Sequence, residues 1–256
     1  MIQNTFCILD GIGEKTEKRL WEKGILTWND FVINNNINFI SGDKKEIYNN
    51  ILSKANIELE KGNAEYFASA IKRREHWRLF EKFKNYAVCL DIETNGYMPD
   101  KGGYVTVVGL YNGYDYKCFV RGINLDETSL KKEIANYRIL ITYFGTGFDV
   151  PFLLRTMKGL RFYLPHFDTC FCSKKVGYKG GLKKLEAALG IERDQSVQGM
   201  NGYDAVKLWE YYCQGSNEAL DLLVLYNKED TVNLFKTADI LYRKLKEQTG
   251  INEYIS

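Results

Sequence analysis

Histidine is nearly absent, with two residues in 256, and none of the six cysteines forms a CxxC pair. That shortage argues against a zinc site. Cys89 and several other cysteines lie in apolar runs and read as buried thiols, which suits a reducing compartment. Proline occurs three times, too rarely for long disordered linkers. No apolar run reaches 18 residues and no apolar stretch opens the chain, so neither membrane insertion nor secretion is expected and a cytoplasmic location is the default. Charge of one sign is also missing. The net charge is +2, with 14 basic against 12 acidic residues up to Lys84 and 21 against 21 beyond it. The bulk charge therefore names no partner. The runs Lys72-Arg73-Arg74 and Lys174-Lys175, with Lys179, Lys183 and Lys184, each read as solvated faces.

What is present is core material. Hydrophobic residues make up 45% of the chain and charged residues 27%, and 18 Tyr and 14 Phe supply bulk. This is the composition of a soluble globular protein, long enough for one large domain or one domain with a small module.

The first 84 residues read as a helical module. Ile8-Leu9-Asp10-Gly11-Ile12-Gly13 is a tight turn that opens a helix at Glu14, with Leu20 and Trp21 on its apolar face and Gly24 at its end. A second short helix begins near Thr27. Glycines allow close approach to a phosphate, and a helix N-terminus offers free N–H groups, so Gly11 and Gly13 are candidate contacts to a nucleic-acid backbone. Residues 42–84 read as helical throughout, broken at Gly62-Asn63. His76 reads as a packing residue.

From Tyr86 the pattern changes to strands. Residues 86–94, 104–111 and 116–120 form three, the last two joined by the hairpin turn Asn112-Gly113. A helix over 129–137 leads to the apolar strand 139–144, which reads as buried and parallel. A loop and a helix from Phe148 follow, then a fifth strand over 165–170. Helices over 182–189, 203–213 and about 218–246 complete the chain. The sum is a mixed α/β fold with a five-stranded sheet, residues 85–256, behind the helical module, residues 1–84.

Four carboxylates stand at telling places on this frame. Asp91 and Glu93 are two apart at the end of the first strand and so project from one face. Two adjacent carboxylates repel unless a positive group such as Mg2+ lies between them. Asp149 sits where a buried strand hands over to a helix. Tyr226 and Asp230 are one turn apart on the last helix, among apolar neighbours. Asp168, at a strand end, reads as a support for the fold.

Asp91-Ile92-Glu93-Thr94, Phe148-Asp149-Val150-Pro151-Phe152-Leu153 and Tyr226-x-x-x-Asp230 resemble the three motifs of the DEDD exonuclease superfamily. The chain is most similar to the YprB-type ribonuclease-H-like domains of the Tyr branch, with Leu225 before Tyr226. Asn201-Gly202-Tyr203-Asp204 and the Gly-Ile-Gly turn, similar to a helix-hairpin-helix, add to the likeness. The resemblance implies a ribonuclease-H-like fold and 3′–5′ exonuclease activity on DNA or RNA, at a single-stranded 3′ end. It implies two Mg2+ or Mn2+ ions held by Asp91, Glu93, Asp149 and Asp230, with Tyr226 orienting the attacking water. By the same analogy Asp91 bridges both ions, and Thr94 and Phe148 contact the nucleic acid. Tyr97 and Phe148 are aromatics suited to stacking on terminal bases. One position departs: relatives often carry Asn five residues before the second-motif Asp, and here it is Phe144. The alternatives are a nucleic-acid-binding module with a weak or inactive site, and a structure-specific endonuclease on the same fold.

Overall fold

A computed structural model describes residues 1–255. Its α-helices are α1 (Glu14–Glu22), α2 (Trp28–Ile33), α3 (Gly42–Glu60), α4 (Ala64–Ala70), α5 (Phe80–Phe83), α6 (Glu127–Ile134), α7 (Asp149–Thr156), α8 (Thr169–Lys175), α9 (Leu182–Ala188), α10 (Gly202–Cys213) and α11 (Asn217–Thr249). The strands are β1 (Ala87–Thr94), β2 (Val105–Tyr111), β3 (Tyr116–Val120), β4 (Ile139–Thr142) and β5 (His166–Asp168). They form one sheet in the order β3-β2-β1-β4-β5. β1, β2 and β3 run antiparallel, whereas β4 and β5 continue parallel to β1.

Local chemistry accounts for the turns. At the β2–β3 hairpin the Asn112 side chain accepts the N–H groups of Tyr114 and Asp115, at 2.9 and 2.8 Å, and Gly113 supplies a φ of 99°. α2 and α10 each begin with a capping box, Thr27 with Asp30 and Asn201 with Asp204. α11 starts at the Ser216 cap and stops at Gly250, whose left-handed conformation ends the helix.

Strand alternation splits the core in two. Val88, Leu90, Ile92 and Leu140 face α6 and α7, against Leu130, Ile134, Phe152 and Leu153. Ala87, Cys89, Ile139, Ile141 and Phe167 face the other way, onto Leu234, Ala238 and Leu241 of α11 and the helices of the first 83 residues. Apolar packing is thus continuous from the N-terminal helices into that face of the sheet. A buried ion triad stiffens this junction. Arg78 reaches Glu17 at 3.1 Å and Glu75 at 2.9 Å, and Glu17 also accepts from Thr5 Oγ1 and the Phe6 N–H.

Three expected boundaries differ. Residues 71–79 are not α-helical: Ile71 is extended and Arg73–Leu79 is a 3₁₀ helix. The reason is tertiary. The His76 ring bridges the Ile71 carbonyl and the His166 N–H of β5, each at 2.9 Å, and Arg78 turns back to Glu75. The fifth strand is three residues long, because Asp168 caps α8 by accepting the Cys170 N–H at 3.1 Å. β4 ends at Thr142, and Phe144 adopts a φ of 61°.

Candidate active site

The alternation that builds the core also aims the acids. Asp91 and Glu93 continue the face of Ala87 and Cys89, the face on which α11 lies. α11 brings Tyr226, Asn227 and Asp230 to them. Oxygens of Asp91, Glu93 and Asp230 lie within 4.8 Å of one another. Asp149 stands outside that tight group. It opens α7, and its Oδ1 accepts the Ile92 N–H at 3.2 Å, which ties the helix to β1 between the two strand acids. All four acids line one cleft of about 490 Å³, together with Thr94, Phe144, Phe148 and Tyr226.

Polar neighbours fix these groups. Asn227, fully buried, donates its amide to Asp91 Oδ2 at 2.9 Å and to Glu93 Oε1 at 3.5 Å. Its carbonyl oxygen accepts from Tyr116 at 2.9 Å, which sets the amide's orientation. Gly109 of β2, opposite Asp91, makes this possible: a Cβ there would overlap both Asn227 Oδ1 and Thr231 Oγ1. Two cations enter from the segment beyond α8. Arg193 pairs with both oxygens of Glu186, and its Nη1 lies 2.5 Å from Asp230 Oδ1. That contact is a direct ion pair between the guanidinium and the carboxylate. Lys183 donates to the Tyr226 hydroxyl at 3.0 Å, with its ammonium 4.5 Å from the ring centre.

Burial and mutual repulsion tilt the acids toward protonation. Burial raises Asp91 and Glu93 well above the carboxylate range, and the Asp230 charge pushes both further. Burial likewise raises Asp149, to about 7, against the pull of backbone N–H groups. Asp230 is raised by burial, although Arg193 opposes the shift. Burial and the charges of Asp230, Glu93 and Asp91 raise Tyr226, so its phenol stays protonated.

Three converging carboxylates with only partial cationic compensation fit a hard divalent ion. Asp91, Glu93 and Asp230 are the residues that would hold it.

Of the residues singled out in the sequence, Asp91, Glu93, Thr94, Phe148, Asp149, Tyr226 and Asp230 share the cleft. Gly11 and Gly13 do not. Gly11 makes a turn at φ 78°, and Gly13 caps α1 beside a separate shallow cleft with Lys15, Arg74, Glu75 and Lys175. Asp168 supports the site from behind, accepting from the N–H groups of Phe144 and Thr146 at 2.9 and 3.0 Å. Sequence reading missed the roles of Asn227, Gly109, Arg193 and Lys183. A glycine inside the apolar strand was the available sign of a close approach. Lys183 was hidden in a charge run, and Arg193 carried no local signal.

No curated protein matches this chain. A solved structure described as the apo form of a nuclease aligns with a TM-score of 0.48 and 20% identity, over 72% of this chain and 82% of its own. The family model described as the RNase_H superfamily matches residues 88–242. That span covers more than half of the chain and contains all five strands but the first residue of β1. The chain therefore belongs to the ribonuclease H superfamily.

Proposed function

We propose that the protein is a metal-dependent 3′–5′ exonuclease acting on DNA or RNA through two divalent ions, Mg2+ or Mn2+. The observation that carries this reading is the convergence of Asp91, Glu93 and Asp230 in one cleft with Asp149 and Tyr226. Divalent ions bound there would neutralise the scissile phosphate and acidify the attacking water.

The chain's own groups do the rest. Asn227 holds the Asp91 carboxylate by its Oδ2 and leaves Oδ1 turned elsewhere. Lys183 donates to the Tyr226 oxygen, so the phenol proton points away from Lys183, and the hydroxyl also reaches Asp230. A phenol held protonated in this way orients rather than accepts a proton. Asp149, fixed by the Ile92 N–H, keeps a second oxygen for the cleft. Thr94 and Phe148, on the cleft walls, contact the substrate strand. The turn ending at Gly13, where α1 begins in a cleft lined by Lys15, Arg74 and Lys175 as well as Glu14 and Glu75, takes a backbone phosphate farther along the chain of nucleotides.

The test uses 5′-labelled single-stranded DNA and RNA with Mg2+ or Mn2+. Progressive shortening from the 3′ end, abolished by EDTA, supports the assignment. Discrete internal fragments would identify an endonuclease. Binding that survives EDTA, with no cleavage of any substrate, would identify a nucleic-acid-binding module.

A further inference from the structure

Arg138 immediately precedes β4, at the end of the sheet opposite the acids. Its N–H donates to the Tyr86 carbonyl just before β1. From there β1 runs about 20 Å to Glu93. At the Arg138 end a groove of about 510 Å³ opens between the turn after α3 and the loops beside α6 and α7. Lys61, Lys131, Arg138 and Arg161 line it, against Glu65 as its one carboxylate. In a chain of net charge +2, that is a local concentration of cations.

Backbone carbonyls pin the two guanidiniums. Arg138 Nη1 donates to the carbonyls of Ala135 and Tyr137, at 3.3 and 2.9 Å, where α6 ends. Arg161 Nη1 donates to those of Lys158 and Leu160, at 2.6 Å each. Among the described residues only Lys61 of the four cations has a carboxylate partner, Glu58 at 3.1 Å. Each arginine therefore keeps N–H groups free on a guanidinium already held in place. A planar fork fixed in this way matches a phosphate.

The groove is linked to the acidic cleft by α7. That helix starts at Asp149 in the cleft, carries Arg155 in its last turn and is followed by Lys158 and Arg161. All three basic residues are exposed. The eight residues of the helix span about 12 Å. This continuity chooses the occupant. A nucleic-acid strand whose end meets the acids and their divalent ions can lay its phosphates along α7, whereas an acidic peptide has nothing to tie it to the cleft.

We propose that the exposed basic residues of α7 and the Arg138–Arg161 groove form a second nucleic-acid contact, separate from the Gly13 turn. It holds backbone phosphates beyond the cleft, so that long strands bind better than short ones. The proposal rests on the nuclease reading above.

The test measures binding of the full chain to a single-stranded trinucleotide and to a 25-mer by fluorescence anisotropy, in Ca2+ to suppress turnover. The double variant Arg138→Gln, Arg161→Gln is expected to bind the 25-mer about 10-fold more weakly at 0.1 M salt and to lower the slope of log Kd against log salt by about 1.4. Trinucleotide binding, and trinucleotide cleavage in Mn2+, are expected to stay at wild-type values. Both arginines are exposed, so the melting temperature is expected to hold. Arg155→Glu is expected to weaken 25-mer binding too, whereas Lys44→Glu, at the far end of α3, makes the same change of net charge and is expected to alter nothing. A double variant that binds the 25-mer as tightly as wild type, or that loses the trinucleotide equally, overturns the proposal. Polyglutamate that displaces the 25-mer as well as an oligonucleotide of equal charge does would assign the groove to an acidic protein and overturn it too. If wild type cleaves the trinucleotide while any of these results holds, only the groove's role falls. If wild type neither binds nor cleaves any oligonucleotide, the nuclease reading falls with it.

Discussion

Asn227 donates its amide to Asp91 Oδ2 at 2.9 Å, across the gap between α11 and β1. The bond joins the helix that carries Asp230 to the strand that carries Asp91 and Glu93. Partners of metal ligands typically contribute 10- to 100-fold to affinity or activity. Asn227→Ala is expected to weaken Mn2+ binding by about 10- to 100-fold, read by titration calorimetry. Gly109→Ala, which pushes on the Asn227 oxygen, is expected to give a similar loss. The double variant should lose less than the sum of the two single losses, since both changes act on the Asn227 amide, although the Cβ at 109 also presses on Thr231. Additive losses would show that Gly109 acts elsewhere.

Metal binding is expected to be pH-dependent. Asp91, Glu93, Asp149 and Asp230 all have raised pKa values, led by burial, in the metal-free fold. The sign follows from linkage. The stability associated with these acids is complete below their unfolded values, about 4. It is lost as pH rises through the folded values, which for Asp149 is about 7. A cation reverses the loss by favouring the ionised forms. The difference in melting temperature with and without Mn2+ should therefore grow from pH 5 to pH 8, and Mn2+ binding should release protons. His166, lowered by burial to about 4, affects both states alike and cancels in this difference. A difference that shrinks as pH rises would contradict the assignment.

Tyr226→Phe removes the hydroxyl that Lys183 holds. Misorienting a reacting water costs on the order of 10²-fold. The variant is expected to lose about that factor in turnover and to bind Mn2+ as wild type does. Because the phenol is held protonated, the wild-type rate should show no limb from Tyr226 deprotonation below pH 10. Loss of metal binding in this variant would make Tyr226 a structural residue.

The Arg78 triad bears on stability alone. Removing Arg78 leaves the buried Glu17 without its cation, while Glu75 keeps Lys175 at 3.3 Å, and breaking such a buried pair costs about 3–5 kcal/mol. Arg78→Ala is expected to shift the urea midpoint accordingly, while the Mn2+ affinity of the folded protein stays unchanged. A shift below about 1 kcal/mol, the scale typical of exposed pairs, would show that Glu17 finds another partner.

Much of this architecture was legible because it is written in local periodicity. The spacing of Asp91 and Glu93 in an apolar strand gave their common face, and the four-residue step gave Tyr226 and Asp230. The Asn112-Gly113 hairpin and the Gly62-Asn63 break were equally local. What failed was set at a distance. Residues 71–79 leave the α-helix because the His76 ring meets the β5 backbone, 90 residues away. Arg193 reaches Asp230 from a loop whose path no motif encodes. Phe144 showed in the sequence only as a departure from an expected Asn, and its φ and its exposure are properties of the fold alone.

The proposed function depends above all on Asp91 as a ligand of a catalytic metal ion. Single-turnover cleavage of a 3′-labelled oligonucleotide in Mn2+, wild type beside Asp91→Ala, tests it most directly. Wild type is expected to release the terminal nucleotide, with none released in EDTA, and the variant to be about 10³-fold slower, the loss expected when a principal source of charge stabilisation is removed. An Asp91→Ala protein that cuts as fast as wild type would contradict it.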